Sequence, residues 1–542
     1  MNLIDVAYFD FSLKRTTTDF FSMIGIGGDF LNLLPLYIID FWYNYILFVI
    51  LLYLSYFLYK KYCKPNLQFH IYHIKDYLIH TLILILFSGL TLISMRGGLQ
   101  YKPINIVNAG QYTKAQNTPI VLNTPFTILK TLNAKGIKPI NYFSEKELAT
   151  IYTPKTQIIN NNALKGKNVV LIILESFAKE YVGAYHNGEG YTPFIDSLMK
   201  ESYVFTNAYS NGNRSIEALP CILAGLPQLM NTPYVLSTYS SNKLDGLPET
   251  LKKEGYNTSF YHGGENGTME FNGFSGSVGV DNYYGYDEYP NQKKDFDGFW
   301  GVFDEPYLQY YATELAKKPA PFFSTLFTVS SHHPYTIPKK HIDKFNKGNL
   351  PLHETIGYTD YSLKEFFKTA QKMPWFKHTI FVFTADHSSE SNAAKYKTRV
   401  GMYSVPTFIY DPSGNLKGTH QKVFQHIDIS PTILGLVGTN KEIISFGNNA
   451  FSPEEKFAIQ YINGAYQIIT KDHFLIFDGE KTTSFYYLPN DSLLQNNFVN
   501  QTLSYQRKVD LNRLEKKLKA IIQQYNNRLI NNQLSSKKTI NH

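Results

Sequence analysis

Glu175, Asp386, His387, His332 and His262 share one feature: each closes an apolar run that reads as a β-strand. Glu175 ends NVVLIILES, Asp386 and His387 end HTIFVFTADHSS, His332 and His333 end PFFSTLFTVSSHHPY, and His262 ends NTSFYHGG. In open α/β sheets, ligands gather outside the carboxyl ends of the strands. Two carboxylates and an imidazole brought to such a crevice form a donor set for a divalent cation. Singly, each has a plainer reading. Glu175 could cap the following turn, His332-His333-Pro334 could shape a turn, and Asp386-His387 could be a capping pair. Their matching topological positions favour the metal site.

Ser215 is the nucleophile candidate. It stands in SNGNRSIEALP, after a Gly/Asn loop and in the first turn of a helix. Backbone N–H groups and the positive helix end favour an anion there. A hydroxyl so placed, and coordinated to a metal, can ionise and attack phosphorus. Arg214 could help neutralise the developing charge. By local sequence alone Ser215 reads first as an N-cap, worth about 1 kcal/mol; the ligand set reverses that reading.

The elements that must position these groups alternate between strand and helix. Continuous β-branched and Leu runs such as NVVLIILES mark strands buried on both faces. YVFTNAYS and SVPTFIYD add two more strands, and TPFIDSLMKES, SIEALPCILAGL and TIGYTDYSLKEFFKTAQKM supply helices, with Pro220 expected to bend the second. The pattern predicts a doubly wound α/β domain over residues 166–440. A smaller C-terminal subdomain is expected over 441–542. It closes on a basic amphipathic helix with Leu511, Leu514, Leu518, Ile521 and Tyr525 at helical spacing, read as a packing or membrane-facing helix before a partner site. His426 and Asp428 are read as a packing turn, and Trp300, Asp304 and Glu305 as the start of a helix before a pocket lining.

Residues 1–96 read as a membrane anchor. The runs 41–59 and 77–95 carry no formal charge and each spans close to 30 Å at about 1.5 Å per residue, the thickness of a bilayer's hydrocarbon core. Lys60, Lys61, Lys64 and Lys75 against Asp76 make the loop between them cytoplasmic by the positive-inside bias, which puts the chain beyond Arg96 on the outer side. Neither run reads as a cleaved signal peptide. Residues 97–165 read as a linker with short helices, one capped by Ser144 with Glu147 three positions on.

Composition sets the outer limits. The 542 residues are 18% charged and 44% hydrophobic, which excludes disorder as the main state. A net charge of +8 is too diffuse to argue for nucleic acid and is compatible with an anionic membrane. The two cysteines, Cys63 and Cys221, exclude a disulfide framework and a zinc ribbon.

NVVLIILESF, NRSIEALPCILAG, SSHHPY, YTDYS and TADHSS, in that order, resemble the lipoteichoic acid synthase and phosphoglycerol transferase group of the alkaline phosphatase superfamily, with its sulfatase-like fold. The resemblance implies one divalent ion, manganese in most of the group (zinc or magnesium being alternatives), held by Glu175, Ser215, Asp386 and His387. It puts Ser215 at the nucleophile, His332 at a substrate-binding histidine and His262 near the pocket. It implies transfer of a phosphoalcohol headgroup from a phospholipid such as phosphatidylglycerol to a glycan or lipid acceptor. Three departures stand out. Gly267–Phe271 lacks the Arg of the group's Trp-x-Arg element, which disfavours polyglycerolphosphate synthesis. Two membrane helices are read where the group usually has five, with Asp5–Phe21 similar to the loop after its third. No Cys-x-Pro-x-Arg or Ser-x-Pro-x-Arg stands at the nucleophile, so formylglycine chemistry is not expected. Hydrolysis with water as acceptor, or a non-catalytic envelope scaffold, are the other readings.

Overall fold

The computed structural model describes residues 2–3, 5, 15–18, 38, 41–63, 73–99, 103–104, 106–113, 118–132, 136–158, 164–462, 464–499 and 501–536. Lys64 and nearly all of Asp5–Phe21 lie outside the described residues.

Two helices, Trp42–Tyr62 and Ile74–Arg96, are long and apolar enough to cross a membrane. Their Leu, Ile and Phe side chains point outward on all sides and stay exposed, an arrangement that suits lipid and not water. Both run past the uncharged stretches seen in the sequence, into Lys60 and Lys61 at one end and Lys75 and Asp76 at the other. Apolarity stops at a charge; the helical hydrogen-bond ladder does not.

The remainder is built on an eight-stranded sheet. Its strands are β2 (Asn168–Leu174), β3 (Tyr203–Tyr209), β4 (Asn257–His262), β5 (Asn282–Tyr284), β6 (Phe322–Phe327), β7 (Thr379–Ala385), β8 (Thr407–Tyr410) and β9 (Gly418–Gln425). Two strands outside it, β1 (Lys155–Gln157) and β10 (Glu442–Ile444), pair antiparallel. The order is β5-β4-β6-β2-β7-β8-β3-β9. All neighbours are parallel except β8, which runs antiparallel to β7 and β3. The fold is therefore the expected α/β fold with one reversed strand. β2, β6 and β7 are buried along their whole length, as strands covered by helices on both faces must be.

Two large cores flank the sheet. One contains Val170, Ile172 and Leu174 of β2 with Leu363, Phe366 and Phe367 of the helix Leu352–Ala370. The other contains Val169, Leu171 and Ile173 with Leu219 and Ile222 of the helix Ser215–Ala224. The alternation of β2 side chains between these cores is the period of two that a strand imposes. The second core continues without a break into the C-terminal region, taking in Leu514, Leu518, Ile521 and Tyr525 of the helix Tyr505–Ile530. These four are fully buried, so that face of the helix packs within the chain. Beside it lies an antiparallel sheet of β11 (Ala458–Ile462), β12 (Ala465–Ile469), β13 (His473–Phe477) and β14 (Thr482–Tyr487), an addition to the single helix read from this region's sequence. The linker also contributes to the fold. Ser144 caps the helix Glu145–Ile151 by accepting from the Glu147 N–H.

Candidate active site and metal centre

Adjacent parallel strands in register bring their carboxyl ends to one edge. β2 pairs with β7 from Asn168–Thr379 to Leu174–Ala385, so Glu175 and Asp386, one residue beyond, emerge side by side. Ser176 there takes a left-handed φ of 56°, a conformation that costs a non-glycine residue about 1–3 kcal/mol and persists where surrounding contacts enforce it. The turn aims the Ser176 N–H at Asp386 Oδ1, which it reaches at 2.8 Å, and the His387 N–H donates to the same oxygen at 2.7 Å. With Oδ1 thus occupied, Asp386 presents Oδ2 to the crevice.

Ser215 arrives from the other side. The loop before it is pinned by Asn211, which donates to Gln425 Oε1 and to the Ile459 carbonyl and accepts from the Ile427 N–H. Gly212 is required there, because a Cβ would stand 2.6 Å from Glu217 Cβ. Arg214 occupies the N-cap position and Ser215 is the first helical residue, so Ser215 does not serve as the cap. Its Oγ lies 3.2 Å from Glu175 Oε2 and 3.2 Å from His387 Nε2. Glu175, Asp386 and His387 each offer a ligand atom, all within 4.8 Å of one another. All four residues named from the sequence as metal-site residues thus meet at one point.

The donor chemistry fits a divalent cation. His387 Nδ1 lies 2.6 Å from the Ser388 carbonyl, which fixes a proton on Nδ1 and makes Nε2 the nitrogen that would ligate a cation after losing its own proton, the usual arrangement of a ligating histidine. Nε2 is 3.1 Å from Asp386 Oδ2, and among the described residues that buried oxygen has no other partner within hydrogen-bond geometry. The two atoms face a common point, as two ligands of one ion do. Without a cation the cluster is electrostatically tense. Burial and then the neighbouring Asp386 push the Glu175 carboxyl up to about 8, against the opposing pull of His387. Burial also works against ionisation of Asp386, but His387 and the hydrogen bonds outweigh it and hold that carboxyl below its ordinary value. His387 responds in kind: burial lowers it, and Asp386 and Glu175 more than reverse this, raising it to about 10. A divalent ion would supply the positive charge that the pair of carboxylates lacks.

His332 and His262 line one recess with Glu175, Trp300, Met269 and Thr328. His332 packs against Trp300 with ring centroids 4.1 Å apart and the planes tilted by 53°, and its Nδ1 lies 2.8 Å from the His333 carbonyl. Trp300 Nε1 donates to that same carbonyl at 2.7 Å. The indole therefore lines the pocket, while Asp304 and Glu305 begin the helix Asp304–Leu315. Burial, the larger cause, lowers the His332 pKa, and it lowers His262 to about 4, so both rings are neutral at neutral pH. Asp304 does more than begin a helix. Its carboxylate accepts from the Val329 and Ser330 N–H groups and the Thr359 hydroxyl, and so holds the loop that carries His332. Thr328 and Ser331 back Glu175: the Glu175 N–H donates to Thr328 Oγ1, and Ser331 Oγ donates to the Glu175 carbonyl. Partners so distant in sequence leave no local signal.

Arg214 is placed differently from the others. Its guanidinium is paired with Glu217, with Nε 2.9 Å from Oε1, and its side chain is half-exposed at the rim. Asp428 accepts from the Gln425 and Asn448 N–H groups and sits in a packing turn. His426 is buried beside it, and neither ring nitrogen has a hydrogen-bond partner among the described residues.

Comparison with known proteins bears on the family and the fold. The sequence family described as Sulfatase matches residues 167–439, just over half of the chain. A lipoteichoic acid synthase-like protein of Bacillus subtilis is 26% identical over 333 residues, which are 57% of this chain and 53% of that protein. The lipoteichoic acid synthase of Staphylococcus aureus (strain USA300) is 27% identical over 376 residues, 62% of this chain and 57% of the relative. The chain thus matches a little over half the length of these curated relatives. Among solved structures, a protein of the alkaline phosphatase superfamily from Vibrio parahaemolyticus has a TM-score of 0.61 at 25% identity, covering 80% of this chain and 96% of that one. The lipoteichoic acid synthase LtaP of Listeria monocytogenes has a TM-score of 0.60 at 22% identity, covering 72% and 98%, a likeness of fold.

Proposed function

The chain belongs to the sulfatase family, and from that premise we propose that it moves a phosphoalcohol headgroup, such as phosphoglycerol, from a phospholipid to a glycan or lipid hydroxyl. The observation that carries this reading is the Ser215 hydroxyl 3.2 Å from both Glu175 and His387, inside a donor set for one cation. Manganese, held by Glu175, Ser215, Asp386 and His387, would supply Lewis acidity, lowering the hydroxyl's pKa and screening phosphate charge. Ser215 Oγ attacks phosphorus; the new Oγ–P bond replaces the P–O bond to the diacylglycerol oxygen, which leaves with a proton. An acceptor hydroxyl then displaces Oγ, surrendering its proton and releasing the phosphoalcohol from the serine. His332, neutral and steadied by Trp300, presents Nε2 to take up or return these protons. Arg214, at the rim, is the residue proposed to meet substrate charge.

The anchor supports a lipid donor. A site tethered to the bilayer meets headgroups at high effective concentration. Lys60 and Lys61 in the last turn of the first helix and Lys75 at the start of the second support a two-span topology with the catalytic domain outside the cytoplasm. The test is turnover of a labelled phosphatidylglycerol headgroup by the wild type and by Ser215→Ala, with and without added glycan. Loss of at least a thousandfold in the variant supports the serine route. Equal turnover overturns it. Label that reaches only water, whatever glycan is added, makes the protein a hydrolase.

A further inference from the structure

A cavity of about 480 Å³ lies on the face of the sheet covered by the helices Pro193–Met199 and Leu352–Ala370, away from the recess of His332. That volume falls in the roughly 300–1,000 Å³ range of small-molecule sites. Its walls carry four aromatic rings, Tyr191, Phe194, Phe345 and Tyr361, and two lysines, Lys344 and Lys364.

Two aspartates also line it, and both accept hydrogen bonds from the chain. Asp360 accepts from the Phe194 and Ile195 N–H groups at 3.0 and 2.8 Å. Asp196 accepts from the Ala184 N–H and the Thr192 hydroxyl. The lysines are in the opposite state. Lys344 Nζ rests 3.7 Å from the Tyr361 ring centroid, and among the described residues neither Lys344 nor Lys364 forms an ion pair with a carboxylate. A cation held on an aromatic face without a carboxylate keeps its charge for a ligand.

Tyr191 is packed in place. Tyr191 stacks on His353 at 4.2 Å, and His353 meets Tyr181 edge-on at 4.7 Å. Gly348, at φ +55°, lies against this pair so closely that a Cβ would stand 2.1 Å from His353 Nδ1 and 2.3 Å from the Tyr191 hydroxyl. Tyr181 in turn donates to the Glu390 carbonyl, in the segment that carries His387. Flat rings offer faces to the C–H side of a sugar or polyol, and ammonium groups offer charge-assisted hydrogen bonds to a phosphate.

We propose that this cavity binds a phosphorylated sugar or polyol, with Lys344 and Lys364 on the phosphate and the aromatic rings against the carbon skeleton. The assignment stands apart from the reaction proposed at Ser215. The phosphate ester could belong to a soluble molecule or to a lipid headgroup, and the test separates them. The full chain carrying Ser215→Ala, in phosphatidylcholine nanodiscs with EDTA, is titrated calorimetrically with glycerol 3-phosphate, glucose 6-phosphate, glycerol and glucose. A parallel set of nanodiscs contains phosphatidylglycerol. Saturable binding of the phosphorylated ligands, at least tenfold tighter than of the neutral ones, is expected. The double variant Lys344→Ala/Lys364→Ala should weaken it at least tenfold without changing the melting temperature, and Lys364→Arg should retain it. If the soluble phosphates bind only in the absence of phosphatidylglycerol, the headgroup is the occupant and the chemical class stands. Binding that survives the double variant, binding that ignores the phosphate, or no binding in either nanodisc overturns the proposal.

Discussion

Glu175→Gln is the change that best separates a metal centre from an ordinary buried polar cluster. Glu175 and Asp386 are both buried, and the ligand atoms they offer lie within 4.8 Å of each other. Burial and then Asp386 raise the Glu175 carboxyl to about 8, so folding at pH 7 puts on it a proton that the unfolded chain has released, at a cost of about 3 kcal/mol. The glutamine carries no such proton cost and keeps an oxygen to accept from Ser176 Oγ. Metal-free, the variant is therefore expected to melt a few degrees above the wild type. Metal reverses the order. An ion at a hundred times its dissociation constant stabilises a folded protein by about 2.7 kcal/mol, and a neutral amide in place of a carboxylate forfeits most of that. The assay is thermal unfolding of the detergent-solubilised chain in EDTA and in excess manganese. A variant less stable than the wild type in EDTA, with the same manganese shift, would refute the reasoning.

Two further outcomes concern the packing. Leu518→Ala, at a fully buried position, should cost about 2–5 kcal/mol; a change within 0.5 kcal/mol in thermal or urea unfolding would mean that the C-terminal helix is not part of the core. Asp360 is buried, and burial, partly offset by its two backbone hydrogen bonds, raises its pKa to about 7. The folded state then keeps a proton that the unfolded chain releases near pH 4, so stability falls as pH rises from about 4 to 7 and levels above. Asp360→Asn cannot titrate, and its stability should fall less steeply by about 1.4 kcal/mol per pH unit in that window. Parallel profiles for the two proteins would contradict this.

What the sequence displays depends on where the physics is local. The interiors of β2 and β7 are largely apolar because both faces are covered, and that is visible residue by residue. The direction of β8 is not: TFIY reads the same whether it runs parallel or antiparallel, and only its pairing with β7 and β3 decides. β9 is an edge strand with a mixed burial pattern, which no simple alternation marks. At the site, Glu175, Asp386 and His387 stand out because polar groups begin where a buried strand ends, and Ser215 because a Gly/Asn loop precedes a helix. The ion pair of Arg214 with Glu217 lies three residues apart within one turn, yet it competes with a catalytic reading that the sequence alone leaves open. Trp300 against His332, and Asp304 holding the His332 loop, join segments about thirty residues apart through side-chain contacts that no pattern announces. The burial of one face of the C-terminal helix is equally invisible, since a packed apolar stripe and a lipid-facing one have the same spacing.

The central claim is that Glu175, Ser215, Asp386 and His387 together hold one cation. Crystals soaked in manganese and measured on both sides of its absorption edge test this directly. The account predicts a single strong anomalous peak within bonding distance of Ser215 Oγ, Glu175, Asp386 Oδ2 and His387 Nε2. A peak bound elsewhere, or none at that cluster under saturating manganese, contradicts it.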